Sequence, residues 1–154
     1  MRKNFLLLII ILFSFQHCGY TPIYSTDNNQ NYNFHINIID IKGDSEMNKI
    51  FMNNIKRFSK NSETESFDLN IKTFYKKNIL TKNKKGKATS YLLTKEIEFE
   101  IISSSDVQKF KFEQETKTSD MISEFDLKRY ESTIKSNFVN SKIEELIYKL
   151  SSLK

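Results

Sequence analysis

Few side chains in this sequence are equipped for catalysis. There are two histidines, His17 and His35, and a single cysteine, Cys18. Nucleophilic catalysis by serine or cysteine requires a base within hydrogen-bonding reach, itself oriented by a third group. His17 sits at the end of an apolar N-terminal stretch and His35 alternates with apolar residues, so no base–nucleophile pair can be assembled. Gly19, Gly43 and Gly86 are isolated and form no phosphate-cradling loop. One thiol excludes an internal disulfide, and with two histidines it cannot complete a zinc finger or ribbon. Glu96, Glu98 and Glu100 recur at every second residue, which places them on one strand face and reads better as a solvated face than as an acid–base site. The sequence therefore predicts neither an enzyme nor a metal or cofactor site.

The charged residues do form one notable feature. Lys76, Lys77, Lys82, Lys84, Lys85 and Lys87 fall within a short segment that contains Gly86 and no acidic residue. Concentrated positive potential of this kind suits the phosphates of a lipid headgroup or nucleic acid, or the acidic loops of a partner; it equally keeps an exposed hairpin tip soluble. No aromatic ladder accompanies the lysines, which disfavours nucleic acid. Ile79 and Leu80 lie in the middle of this run, either to insert into a partner or to extend strand pairing beyond Lys77. Bulk charge adds little: the chain carries 24 Lys+Arg against 19 Asp+Glu, and without Arg2 and Lys3 the 22 remaining basic residues leave +3.

Arg2 and Lys3 precede an apolar run from Phe5 to Phe15, interrupted only by Ser14. That run is too short to span a bilayer, which takes about 20 apolar residues, and matches a signal-peptide core of roughly 7 to 15. The usual secretory cleavage site wants small residues of the Ala-x-Ala kind, and the only alanine is Ala88. Cys18 stands at the end of the run and resembles the lipidation site of bacterial lipoproteins, although Phe15, Gln16 and His17 depart from the usual residues before such a cysteine. The alternative is an uncut inner-membrane anchor followed by a chance cysteine. On the lipoprotein reading, residues 1–17 are a signal peptide and Cys18 carries a diacylglycerol and acyl anchor, palmitate among its chains. Gly19 in place of an aspartate then directs the protein to the outer membrane. Residues 18–32 form a polar, Asn-rich tether, in which Pro22 holds Thr21 extended. Tyr20 and Tyr24 sit at the membrane interface or pack back on the domain.

The rest, residues 33–154, has the makings of a folded body: 38% of the chain is hydrophobic and 13% aromatic. Phe34, Ile36 and Ile38 alternate with polar residues before Ile39 and Ile41 continue the run, predicting a strand. Lys42-Gly43-Asp44-Ser45 supplies a turn and an N-cap, and Met47, Ile50, Phe51, Ile55 and Phe58 give an amphipathic helix over 45–59. Phe67, Leu69, Ile71 and Thr73 mark a return strand parallel to the first. The Gly86 tip then leads to Tyr91, Leu93, Ile97, Phe99 and Ile101 as the second arm of a hairpin. A fourth strand with Val107, Phe110 and Phe112 follows the turn at Ser103–Asp106. From Ser123 the period becomes helical, with Ser123 and Asp126 as a capping box. The fold class is α+β: a single four-stranded mixed sheet in the order β-α-β-β-β-α, with both helices packed on one face.

Cys18-Gly19-Tyr20-Thr21-Pro22-Ile23-Tyr24 resembles the start of mature LPS-assembly lipoproteins of the LptE family, and the succession of elements follows that family's order. The resemblance implies a non-enzymatic outer-membrane lipoprotein that plugs the lumen of the LptD β-barrel translocon and assists assembly of lipopolysaccharide into the outer leaflet. It also implies contact with lipopolysaccharide, for whose anionic lipid A phosphates Lys82, Lys84, Lys85 and Lys87 are the candidate ligands. Partners on this reading are the LptD-type barrel, lipopolysaccharide and the outer membrane, with no nucleic acid. An auxiliary lipoprotein of another periplasmic lipid-transport system is the alternative.

Overall fold

A computed structural model of the chain describes residues 34–58, 65–103, 106–119 and 123–153. The signal peptide expected over 1–17, the lipid anchor expected at Cys18 and the tether expected over 18–32, with Tyr20, Pro22 and Tyr24, lie outside the described residues.

The elements are β1 (His35–Lys42), α1 (Ser45–Ile55), β2 (Ser66–Lys82), β3 (Ala88–Ile102), β4 (Val107–Ser119) and α2 (Glu124–Ser152). They make one four-stranded sheet in the order β1-β2-β3-β4. β1 runs parallel to β2, joined through α1, and the other pairs are antiparallel, so the mixed α+β sheet expected from the sequence is the one found.

Side chains alternate strictly between the two faces of the sheet. Phe67, Leu69 and Ile71 of β2 and Leu93, Ile97, Phe99 and Ile101 of β3 are buried on one face. Both helices cover that face: Met47, Phe51 and Ile55 of α1 share a single core with Phe138, Val139, Ile143, Leu146, Ile147 and Leu150 of α2. Phe51 meets Phe99 at 5.7 Å between ring centroids, and Asn54 donates to Asn140 at 2.6 Å between the helices. Each such apolar side chain contributes roughly 1.5–3 kcal/mol by leaving water. The opposite face is open and polar, with Glu96, Glu98 and Glu100 on it. Lys111 pairs with Glu96 at 2.9 Å and Lys109 with Glu100 at 2.8 Å across the β3–β4 ladder.

Two elements depart from the pattern in the sequence. Pairing of β1 with β2 slips between Ile38 and Asp40, so Ile39 is bulged out and 55% exposed, and the apolar phase passes from Ile38 to Ile41. The first helix ends at Ile55, four residues short of expectation, and residues 59–64 lie outside the described set. Its N-cap is Asp44, whose Oδ1 accepts from the Met47 amide at 2.9 Å. At the start of α2 the Ser123 hydroxyl accepts from the Asp126 amide at 3.1 Å, as expected, and also donates to the Asp126 carboxylate at 2.6 Å.

The β1–α1 corner is tight. Gly43 has φ +112°, and a Cβ there would lie 1.7 Å from the carbonyl oxygen of Thr73, so no other residue fits without moving backbone. Thr73 is buried, its hydroxyl donates to Asn48 Oδ1 at 2.7 Å, and its carbonyl receives the Asp44 amide at 3.4 Å. Gly43→Ala is expected to lower stability by at least about 2 kcal/mol in chemical denaturation, with the m-value unchanged. Gly86→Ala, where nothing lies within 4 Å of the added carbon, is expected to cost only the left-handed backbone preference, about 1 kcal/mol.

Candidate functional site

β2 and β3 are the longest strands, and their hairpin carries the basic segment. Pairing continues past Lys77, with Lys77 opposite Leu93, Asn78 opposite Leu92 and Ile79 opposite Tyr91; the register then shifts around Leu80 and Thr81. The tip is closed by Asn83: its side chain accepts from the amides of Lys85 and Lys87 at 2.9 and 3.0 Å, and its carbonyl accepts from Gly86 at 2.9 Å. Gly86 takes φ +77° there. Thr81 bonds the hydroxyls of Thr89 and Ser90 at 2.8 and 2.7 Å, which ties the arms together just below the turn.

The six lysines separate into two groups. Lys82, Lys84, Lys85 and Lys87 are exposed around the tip, and none has an ion pair among the described residues. Lys76 is exposed further back on the hairpin. Lys77 belongs to the body: it binds Glu131 of α2 at 2.6 Å and lies 5.5 Å from the ring centroid of Tyr91. Ile79 and Leu80 take part in the hairpin and are nevertheless 51% and 46% exposed, with Phe74 48% exposed further along β2. The hairpin thus presents unpaired ammonium groups beside exposed aliphatic side chains, a combination that suits an amphipathic anion.

Below the tip, the first half of α2 rests on a polar layer that the sequence reading passed over. Lys95 is only 1% exposed, yet its ammonium has one polar partner among the described residues, Thr116 Oγ1 at 2.8 Å. The Phe138 ring centroid lies 5.9 Å away. Burial pushes the Lys95 pKa down. Tyr75, directly opposite Lys95 on β2, has its hydroxyl shut from water without a well-formed hydrogen bond; burial first, then the Glu131 carboxylate, raise its pKa. The Lys135 ammonium lies 4.0 Å from the Tyr75 ring centroid and 3.0 Å from both Asp44 Oδ2 and Glu46 Oε2. The neighbouring Ser132 hydroxyl and Lys135 together hold the Glu46 carboxyl low against the cost of burial. The sequence signal for Lys95 was its phase: in Leu93-Thr94-Lys95-Glu96-Ile97 it occupies an apolar-face position.

Among the described residues no group of three or more His, Cys, Asp and Glu side chains is arranged to hold a metal, and no helix is long and apolar enough to cross a membrane. His35 opens β1, and Glu96, Glu98 and Glu100 stand on the open face.

The fold is that of known bacterial lipoproteins. The crystal structure of rare lipoprotein B from Shewanella oneidensis superposes with a TM-score of 0.54 at 11% identity, covering 76% of this chain and 98% of that one. A minor lipoprotein from Acinetobacter baumannii gives 0.52 at 9% identity, over 77% of this chain and 94% of that one. At these identities the likeness is one of fold. No protein-family model and no curated protein matches the sequence.

Lys95 supplies a test of the polar layer. Its depressed pKa means that the folded state disfavours the charged form, so the cost is full at pH below the folded-state pKa and fades as pH rises toward the unfolded value of about 10.4. Lys95→Met is expected to raise stability at pH 7 by about 1 kcal/mol or more, with the gain over wild type shrinking as pH rises through the lowered folded-state pKa and lost above about 10.4. Denaturation midpoints measured across that range check it.

Proposed function

We propose that this chain is an outer-membrane lipoprotein, anchored by acyl chains on Cys18, that docks within a large LptD-type β-barrel and assists delivery of lipopolysaccharide to the outer leaflet. Its role is non-enzymatic. The observation that carries the reading is the fold: a likeness to rare lipoprotein B spanning 98% of that chain, in a sequence whose Cys18–Tyr24 segment independently resembles the LptE family.

The dimensions support it. Four strands spaced about 4.8 Å apart, with one helical layer about 10 Å above them, give a body roughly 20 Å across. That cross-section suits the lumen of a barrel of about 22 strands or more, which must be plugged or left open. The tip lysines meet the phosphates of lipid A, and the exposed side chains of Ile79 and Leu80 beside them contact its acyl chains. Two or three acyl chains on Cys18, at roughly 0.8 kcal/mol per buried CH₂, hold the body at the membrane throughout.

Photo-crosslinking side chains introduced at Leu80 and Lys84 of the full-length protein in intact outer membranes test the docking. The expected product is an adduct with one large β-barrel protein; adducts confined to an inner-membrane ATPase system would overturn the reading and favour an auxiliary lipoprotein of another lipid-transport route. For the ligand, K82E/K84E/K85E/K87E is expected to lose lipopolysaccharide binding with its unfolding midpoint in place, since none of these side chains has an ion pair in the described chain. Unchanged binding would remove the tip from the site.

A further inference from the structure

β4 is an unusual sheet edge. It pairs with β3 over its whole length and has no strand on its outer side among the described residues. Exposed edges are ordinarily blunted by shortness, a bulge, a proline or charged side chains, and of these β4 carries only the charges. The other edge, β1, follows that rule, with 8 residues and a bulge at Ile39. β4 has 13 residues, keeps a single register with β3, and contains neither proline nor glycine.

Its open-face side chains carry a pattern that the barrel reading does not use. Along the strand they run Val107, Lys109, Lys111, Glu113, Glu115 and Lys117; the central four are two cations and then two anions, opposite in sign at equal distances from Phe112, while Lys117 and Val107 fall across from each other in an antiparallel pairing about Phe112. An antiparallel copy of the same strand, laid alongside with Phe112 opposite its own equivalent, sets each Lys109 across from a Glu115 and each Lys111 across from a Glu113. The two-fold axis repeats both pairs, giving four attractive contacts. Moving the axis to residue 111 or 113 sets Lys111 or Glu113 against its own copy, and parallel in-register pairing sets every charge against its like.

Within the chain this charge is not fully used. Lys109 and Lys111 are bonded to Glu100 and Glu96. Glu113 lies directly opposite Glu96, a like charge, and Glu115 opposite Thr94; neither has a salt bridge among the described residues. The covered side of β4 is also incomplete. Phe110 and Phe112 are half-buried and are capped by the ammonium groups of Lys149 and Lys142, at 4.1 and 4.9 Å from the ring centroids. A groove of about 250 Å³ opens there between β4 and α2, lined by Glu113, Gln114, Asn137, Phe138, Ser141 and Lys142.

We propose that two copies of this chain pair antiparallel through β4, about a two-fold axis at Phe112, into one eight-stranded sheet with all four helices on the same face. Phe112 then packs beside its equivalent at the mouth of the groove, Phe110 faces Gln114 of the other copy, and the two basic hairpins point in opposite directions. By the same strand spacing the paired sheet is about 40 Å across, so the pairing describes the chain outside a barrel, and its failure would leave the docking proposal in place.

The test uses purified full-length protein bearing two different C-terminal tags, co-expressed and recovered through one tag. Wild type is expected to bring the second tag with it in comparable amount. K109E/K111E alone and E113K/E115K alone are each expected to lose at least about tenfold of that recovery, because like charges then face each other across the axis. Mixing the two variants is expected to restore it, because every facing pair is again opposite. Far-UV circular dichroism confirms that each variant folds. E113K/E115K breaks no salt bridge within the described chain, so it decides the matter alone if the other variant fails to fold. Absence of wild-type recovery, recovery indifferent to both reversals, failure of the mixture to restore it, or a different protein in place of the second tag would each overturn the proposal.

Discussion

The Asp44 carboxylate is shared between two helices, and the layered body depends on that sharing. Oδ1 caps α1 through the Met47 amide, while Oδ2 holds the Lys135 ammonium of α2. The Asp44 backbone amide reaches the Thr73 carbonyl in β2, and Gly43 before it permits that approach because a Cβ would collide with the same oxygen. One corner thus ties the end of β1, the start of α1, the middle of β2 and the first half of α2. A carboxylate so placed is only partly buried and fully answered, which is the condition under which an ion pair near a core stabilises rather than strains it.

From that corner α2 divides into two parts with different physics. Beyond Phe138 its inward side chains are apolar apart from Asn140, which accepts from Asn54, and they pack on Ile97, Phe99 and the helix α1. Before it, the inward groups are Leu127, Glu131 and Lys135, facing Tyr75, Lys77 and Lys95. Hydrophobic burial fixes the second part, whereas charges and hydrogen bonds in a poorly hydrated layer fix the first. The basic hairpin projects from the polar end.

Much of this was legible in the sequence, for identifiable reasons. Strict alternation in Phe67–Thr73 and Ile97–Ile101 and the apolar stripe from Leu127 to Leu150 gave the elements and their faces, because burial on one side imposes period 2 on strands and near 3.6 on helices. The tip lysines were legible as a cluster, and the structure divides Lys77 from the others through a contact with Glu131, 54 residues away in sequence, which no local pattern encodes. The bulge at Ile39 was hidden because a run of isoleucines reads as apolar in either phase. Lys95 was passed over because lysine in a strand is ordinarily read as outward-facing, and the opposed charges about Phe112 acquire meaning only once β4 is known to be an edge.

Affinity recovery of the tagged full-length protein from outer membranes in mild detergent, with mass spectrometry of whatever accompanies it in stoichiometric amount, shows whether the chain docks in a barrel. One large β-barrel protein is the predicted companion. Recovery of an inner-membrane ATPase system, or of no barrel at all, would contradict the claim that this fold works as the lipid-anchored plug of a translocon.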